Sequence, residues 1–74
     1  MAVTLVIAGG LRDYVGARER VEMPAGLTLE EMIQLAGIPP ALVAGLVLEN
    51  QLVYRDYRPN DGETIKIIAV MGGG

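Results

Sequence analysis

Apolar and polar residues alternate near the start of the chain, and this alternation predicts two strands. Residues 3–8 present one fully apolar face and one mixed face, as in a strand buried on one side. Residues 18–23 alternate more weakly, which is typical of a half-exposed strand, and Pro24 ends the pattern. Residues 9–17 are rich in glycine and are predicted to connect the two strands.

A helix is predicted over residues 28–36, where apolar residues recur at helical spacing. Thr28 is suited to the N-cap position, and Glu31 three residues later completes a capping box. Gly37 can adopt the left-handed conformation that commonly follows a helix, and Pro39-Pro40 prevents the helix from continuing. The apolar stripe consists of Leu29, Met32, Ile33 and Ala36.

The second half of the chain is predicted to contain three more strands. These are residues 46–48, 52–54 and 64–70. Asn50 tolerates a positive φ and favours a turn between the first two, while residues 41–45 fit a helical turn. Residues 55–62 are polar and are predicted to form a loop before the last strand, which is rich in β-branched residues.

These elements predict a two-layer α+β domain, because a helix with one apolar stripe buries it against the apolar face of a sheet. The 74 residues are enough for one domain, and 51% of them are hydrophobic. The pairing order of the strands does not follow from the pattern. Because Phe and Trp are absent, we expect aliphatic residues to fill the core with help from Tyr14, Tyr54 and Tyr57.

Composition also excludes several kinds of site. The chain has no cysteine and no histidine, so it can form no disulfide, thiolate or imidazole metal site, and no Ser-His-Asp triad. Its net charge of −3 argues against nucleic acid as a partner and favours either simple solubility or an acidic face for a basic partner. The apolar run at residues 2–8 is too short to cross a membrane and no basic segment precedes it, so a soluble, cytoplasmic protein without a membrane partner is expected.

The candidate chemistry lies in the tail Gly72-Gly73-Gly74. Glycines without side chains are expected to form a flexible peg that can enter a narrow channel, where its reactive group is the α-carboxylate of Gly74. A carboxylate becomes an electrophile by attacking the α-phosphate of ATP, which gives an acyl-adenylate. An external enzyme must supply the ATP site, because Gly9-Gly10 lacks the spacing of a phosphate-binding loop. The alternative is a frayed terminus.

The last predicted strand has two different faces. Ile65, Ile67 and Ala69 share one face and are assigned to the core, since Lys66, the only lysine, lies on the other face with Ile68 and Val70. Ile68, Val70 and Met71 could form an apolar docking patch beside the tail, or a neighbouring loop could cover them.

Charged residues elsewhere have weaker functional interpretations. Arg12, Arg55 and Arg58 could steer an acidic partner, although a solvated surface arginine is the simpler explanation for each of them. Asp56, Asp61 and Glu63 could suggest acid/base chemistry, but they surround a turn signal and are interpreted as turn residues.

The order and spacing of these segments resemble the MoaD/ThiS family over nearly the whole chain. The segment from Gly10 to Gly16, with Leu11-Arg12, is similar to the family's segment after the first strand. The helix from Thr28 to Ala36, the turn Asp61-Gly62-Glu63 and the glycine ending follow in the family's order, although the family often has Asp-Gly-Asp and ends in Gly-Gly.

This resemblance implies a ubiquitin-like β-grasp fold in residues 1–71, with residues 72–74 as the working tail. It implies a sulfur carrier, a co-substrate that is not itself an enzyme and binds no cofactor or metal. The implied partners are an adenylating enzyme of the ubiquitin-activating type, which uses ATP, a sulfur donor, and either a molybdopterin synthase large subunit or a thiazole synthase. The resemblance also implies that Gly74 becomes a thiocarboxylate, whose sulfur goes to molybdopterin (for a molybdenum or tungsten cofactor), to thiamin thiazole or to another acceptor, and Leu11-Arg12 favours the molybdopterin side.

Three departures from the family pattern bear on these expectations. Glu49-Asn50 replaces a common Asn-Gly turn, a third glycine lengthens the tail, and Pro59 stands where a leucine is common, so that Tyr57 is expected to take over its packing. Two rival functions remain open. The acyl-adenylate could be captured by lysines of other proteins, which makes the chain a protein modifier, or the tail could be inert in a binding subunit.

Overall fold

The computed structural model describes residues 2–70, so that Met1 and residues 71–74 lie outside the described part. The described chain contains one α-helix, five strands and two 3₁₀ helices. The strands are β1 (Ala2–Ile7), β2 (Arg20–Pro24), β3 (Val43–Leu48), β4 (Gln51–Val53) and β5 (Thr64–Ala69). The helices are α1 (Leu29–Ala36), the first 3₁₀ helix (Gly9–Val15) and the second 3₁₀ helix (Pro40–Leu42).

The five strands form one mixed sheet in the order β2-β1-β5-β3-β4. β5 lies at the centre, parallel to β1 and antiparallel to β3, while β2 and β4 form the two antiparallel edges. The helix packs on one face of this sheet, which confirms the two-layer α+β prediction. The last strand therefore pairs on both sides before the chain reaches its tail.

The core between sheet and helix is made of aliphatic side chains and methionine. Its members are Val3, Leu5, Ile7, Leu11, Met23, Leu29, Met32, Ile33, Ile38, Val43, Leu46, Ile65 and Ile67. The assignment of Ile65 and Ile67 to the core is confirmed. The expectation that the tyrosines help to fill it is wrong for Tyr14 and Tyr54, which are 46% and 80% exposed because both lie in surface segments. Tyr57 does pack against the core, partly buried beside the buried Pro59.

Both predicted ends of the helix are confirmed. The Glu31 N–H donates to Thr28 Oγ1 at 3.1 Å, and the Thr28 N–H donates to Glu31 Oε1 at 2.8 Å, so the capping box is complete. At the other end Gly37 has a φ of 82°, and the Ile38 N–H donates to the Ile33 carbonyl at 3.1 Å. These contacts satisfy backbone groups that a helix otherwise leaves unpaired.

The connections differ from the predicted ones in two places. Residues 9–17 contain the first 3₁₀ helix, which forms because Leu11 inserts into the core and draws the segment against the sheet. Residues 41–45, predicted as a helical turn, contain the end of the second 3₁₀ helix and the start of β3. The turn between β3 and β4 is confirmed, with positive φ at both Glu49 and Asn50, as a tight hairpin requires.

Candidate functional site

The candidate site is the C-terminal end of β5, where the chain leaves the sheet. Ile67 points into the core and is 1% exposed, whereas Ile68 is 41% and Val70 46% exposed on the surface. The predicted outward orientation of Ile68 and Val70 is therefore observed, and no loop of the described chain covers them. Met71 and the tail Gly72-Gly73-Gly74 lie outside the described residues, so their assigned roles stay predictions.

The sheet face opposite the helix is apolar near Ile68. In the register of the sheet, Ile68 faces Gly45 of β3, and Val47 of β3 faces Leu52 of β4. A Cβ at Gly45 would lie 3.6 Å from Leu52 Cδ2, so the Leu52 side chain lies over this glycine. We name Val47, Leu52 and Ile68 the outer-face patch, which Lys66 borders through its pairing with Val47.

A shallow cleft lies beside the same end of β5. Tyr14, Leu42 and Val70 contribute its exposed apolar side chains, and the rest of its lining comes from Gly10, Leu11 and Ala69. Tyr14 and Leu42 are not predictable as site residues from the sequence, because they are distant in sequence from the tail and only the fold brings them to it. The apolar surface at the tail's origin is therefore broader than the predicted patch.

Two of the three arginines singled out in the sequence bind backbone carbonyls of this chain. Arg55 Nη2 donates to the carbonyls of Pro40 and Val43 at 3.0 and 3.1 Å. Arg58 Nη1 donates to the Gly26 carbonyl at 2.6 Å, next to the start of α1. These side chains were expected either to be solvated or to steer a partner. Their hydrogen bonds to backbone carbonyls of the same chain were not predicted. Arg12 is half-buried, and its role in steering a partner stays a prediction.

The carboxylate of Glu63 closes the loop before β5. It accepts a hydrogen bond from Tyr57 Oη at 2.7 Å and another from the Asn60 N–H at 2.8 Å. The first bond raises the pKa of Tyr57, because the neutral phenol donates it. Glu63 therefore has the structural role that its position beside a turn predicted, and Asp56 and Asp61 lie exposed on the surface of the same loop.

The turn Gly9-Gly10 does not have the surroundings of a phosphate-binding loop. Gly9-Gly10 begins a 3₁₀ helix, which differs from the α-helix that follows a phosphate-binding glycine loop. Within residues 2–70 there is no cluster of acidic side chains that could hold a metal ion. No helix in this same range is long and apolar enough to cross a membrane.

Comparisons with known proteins bear on the whole chain. The ThiS family model matches residues 5–74, whereas no curated protein matches the sequence significantly. Urm1 from Trypanosoma brucei superimposes with a TM-score of 0.72 at 21% identity, and the match covers 99% of this chain and 95% of that one. SAMP1 from Haloferax volcanii gives a TM-score of 0.66 at 16% identity over 100% of both chains.

A third similar structure is a complex of subunits 1 and 2 of the molybdopterin-converting factor from Helicobacter pylori 26695. The TM-score is 0.64 at 20% identity, with 100% of both chains covered. At these identities the three structures establish the fold, which is the ubiquitin-like β-grasp implied by the resemblance. The family match covers nearly the whole sequence, glycine tail included. The chain therefore belongs to the ThiS family of small ubiquitin-fold sulfur carriers.

Proposed function

We propose that this chain carries sulfur as a thiocarboxylate on the C-terminal carbon of Gly74. The observation that supports this most is the extent of the family match, which includes both the folded body and the glycine tail. The fold adds that the tail begins at the end of the central strand β5, beside exposed apolar surface. The chain then acts as a co-substrate, and other proteins supply the catalytic groups.

The proposed chemistry has two steps. In the first, a carboxylate oxygen of Gly74 attacks the α-phosphorus of ATP, and pyrophosphate leaves as the acyl-adenylate forms. In the second, a sulfur nucleophile from a sulfur donor attacks the acyl carbon, and AMP leaves. With a persulfide as the donor this gives an acyl disulfide, and a thiol then completes the second step by attacking the donor's own sulfur, which forms a disulfide with the donor and releases the thiocarboxylate. An adenylating enzyme of the ubiquitin-activating type binds the ATP and supplies the catalytic groups for these steps.

We assign docking of that enzyme to Ile68, Val70 and Met71. Ile68 and Val70 are each more than two-fifths exposed, although both are aliphatic, and exposed apolar clusters commonly mark interfaces. Ile68 also belongs to the outer-face patch, in which it faces Gly45 of the neighbouring strand. A partner that covers this surface holds the body while Gly73 and Gly74 extend into its active site.

The proposed acceptors are molybdopterin and the thiazole of thiamin, reached through a molybdopterin synthase large subunit or a thiazole synthase. A synthase-type partner is supported by the similar two-subunit complex of the molybdopterin-converting factor. All of these reactions are expected in the cytoplasm. The molybdopterin side is preferred because of the segment that contains Leu11-Arg12.

The decisive test is the intact mass of the untagged protein, purified from its native cells. We expect a form that ends at Gly74 with one oxygen replaced by sulfur, and we expect no sulfur-containing form when Gly73 and Gly74 are both deleted. The same form should appear in vitro with ATP, a sulfur donor and the cognate adenylating enzyme. If no such form is found in either case, the proposal fails.

Two further results would identify the rival functions, one from the same masses and one from a deletion. Conjugates of higher mass, joined through an isopeptide bond to lysines of other proteins, would show that the acyl-adenylate is captured by amines, as in a protein modifier. Unchanged function in cells after deletion of Gly73-Gly74 would show that the tail is inert and that the domain is a binding subunit.

A further inference from the structure

The last described residue of the chain is held by the second 3₁₀ helix. The Val70 N–H donates to the Leu42 carbonyl at 2.9 Å. This bond lies one residue beyond the end of the β3–β5 pairing, where Val43 faces Ala69. The Leu42 carbonyl therefore anchors the backbone at Val70.

The segment that provides this carbonyl lies next to an irregularity in β3. Val43 faces Ala69, but Gly45 faces Ile68, so β3 contains one more residue than β5 at this point. Such a bulge interrupts the regular ladder and changes the local direction of the strand. Hydrogen bonds between strands therefore hold Leu42 less firmly than they hold residues at the centre of the sheet.

The Arg55 side chain adds hydrogen bonds that hold this segment in place. Its Nη2 atom donates to the carbonyls of Pro40 and Val43, which lie on either side of Leu42. The backbone of Arg55 is itself fixed, because its carbonyl accepts the Glu30 N–H at 2.9 Å in the first turn of α1. Through its backbone carbonyl and its side chain, Arg55 thus links the helix to both ends of the segment that holds Val70.

We infer that Arg55 is a positioning residue for the C-terminal tail. By holding Pro40 and Val43 it keeps the Leu42 carbonyl in place, and this carbonyl fixes the direction in which the chain leaves Val70. The functional half of this inference depends on the proposed function, since a defined exit direction matters when a partner binds the body and the tail together. Organising the tail before binding lowers the cost of reaching the reactive geometry.

Arg58 offers a matched control for this inference. It also donates to a backbone carbonyl, that of Gly26, but its contact lies at the start of α1 and has no connection to Val70. The variants to compare are Arg55→Leu, Arg55→Lys and Arg58→Leu. Because both bonds of Arg55 come from one nitrogen, a lysine ammonium with its three donors should restore part of the effect.

The first measurement is amide hydrogen exchange by NMR. Arg55→Leu should speed the exchange of the Val70 amide at least about tenfold, because local opening becomes easier. The Thr4 amide, which donates to the Glu63 carbonyl at the other end of β5, should stay protected and report that the domain is folded. Arg58→Leu should leave Val70 unchanged. Unchanged exchange of Val70 in Arg55→Leu would overturn the inference, and if Arg55→Leu does not fold, Arg55→Met, which keeps an apolar stem but has no donor, decides it.

The second measurement is formation of the acyl-adenylate by the cognate adenylating enzyme. Arg55→Leu should lower kcat by about tenfold or more through misplacement of the tail, with little change in KM because the docking surface is intact. A normal kcat together with faster Val70 exchange would show that Arg55 is merely structural. If the wild-type chain is not adenylated at all, the proposed function fails, while the exchange data still decide whether Arg55 holds Val70.

Discussion

Ile67 and Ile68 are adjacent on β5 but lie on opposite faces of the sheet. Ile67 is 1% exposed in the core and Ile68 is 41% exposed on the outer face. The same substitution, isoleucine to threonine, therefore tests two different roles at neighbouring positions. Threonine is also β-branched, so the local preference for a strand changes little.

The expected costs differ because only Ile67→Thr buries a hydroxyl group. The substitution removes one buried carbon, which costs about 0.8 kcal/mol, and replaces a second carbon with a hydroxyl, whose burial without a partner adds about 1–3 kcal/mol. Ile67→Thr should therefore lower the free energy of unfolding by about 2–4 kcal/mol. Ile68→Thr should lower it by only about 0.5 kcal/mol, because its side chain is partly exposed and the hydroxyl can reach water.

The cost of Ile67→Thr is a large fraction of the stability of so short a chain, whereas the cost of Ile68→Thr is a small one. For 74 residues the total free energy of unfolding is expected to be about 4–11 kcal/mol. Thermal unfolding followed by circular dichroism should therefore show Tm falling by at least about 8 °C for Ile67→Thr and by less than about 4 °C for Ile68→Thr. Equal losses of Tm in the two variants would refute the assignment of the two faces.

Binding to the adenylating enzyme should show the opposite order of effects. Ile68→Thr should raise the KM for this chain about fivefold or more, since we place Ile68 among the minority of interface residues whose truncation costs over about 1 kcal/mol. The folded fraction of Ile67→Thr, measured below its Tm, should bind with nearly the wild-type KM. An unchanged KM for Ile68→Thr would remove Ile68 from the docking surface.

Two further predictions concern the ends of α1. Hydrogen bonds from Thr28 lower the pKa of Glu31 in the folded state from its ordinary value, so this carboxylate stabilises the fold at neutral pH and loses its effect as pH falls through the lowered pKa. Urea unfolding between about pH 6 and pH 3 should show a smaller loss of stability in Glu31→Gln than in wild type, and parallel curves would contradict the assignment. Gly37→Ala should lower the free energy of unfolding by about 1–2 kcal/mol, because a φ of 82° disfavours any side chain. The space itself is open, since the atom nearest to an added Cβ is the Tyr14 carbonyl oxygen at 3.8 Å. Gly10→Ala, whose φ is not positive and whose surroundings are open, is the control and should be neutral or stabilising in the same unfolding assay.

The parts of the fold that were predictable are those determined within a few residues. The helix was placed correctly because Thr28, Glu31 and Gly37 interact with backbone groups of their own helix. The two faces of β5 followed from strict alternation around Lys66. The turn at Asn50 followed from its tolerance of positive φ.

The parts that were missed depend on contacts between distant segments. The first 3₁₀ helix forms around the burial of Leu11, and nothing in its glycine-rich sequence specifies that burial. The exposure of Tyr14 and Tyr54 depends on where the sheet and the connections place them. The bonds of Arg55 to Pro40 and Val43 join residues that only the folded chain brings together.

The sequence by itself determined the helix, the alternating strands, the resemblance to the family and the glycine ending on which the proposed chemistry depends. These features are local, because capping, alternation and turn preference act over a few residues. Only the tertiary structure decided that β5 lies between β1 and β3, that Tyr14 and Leu42 lie at the origin of the tail, and that Arg55 supports it. Strand order and side-chain-to-carbonyl bonds depend on how the whole chain buries its apolar surface, which no short segment encodes.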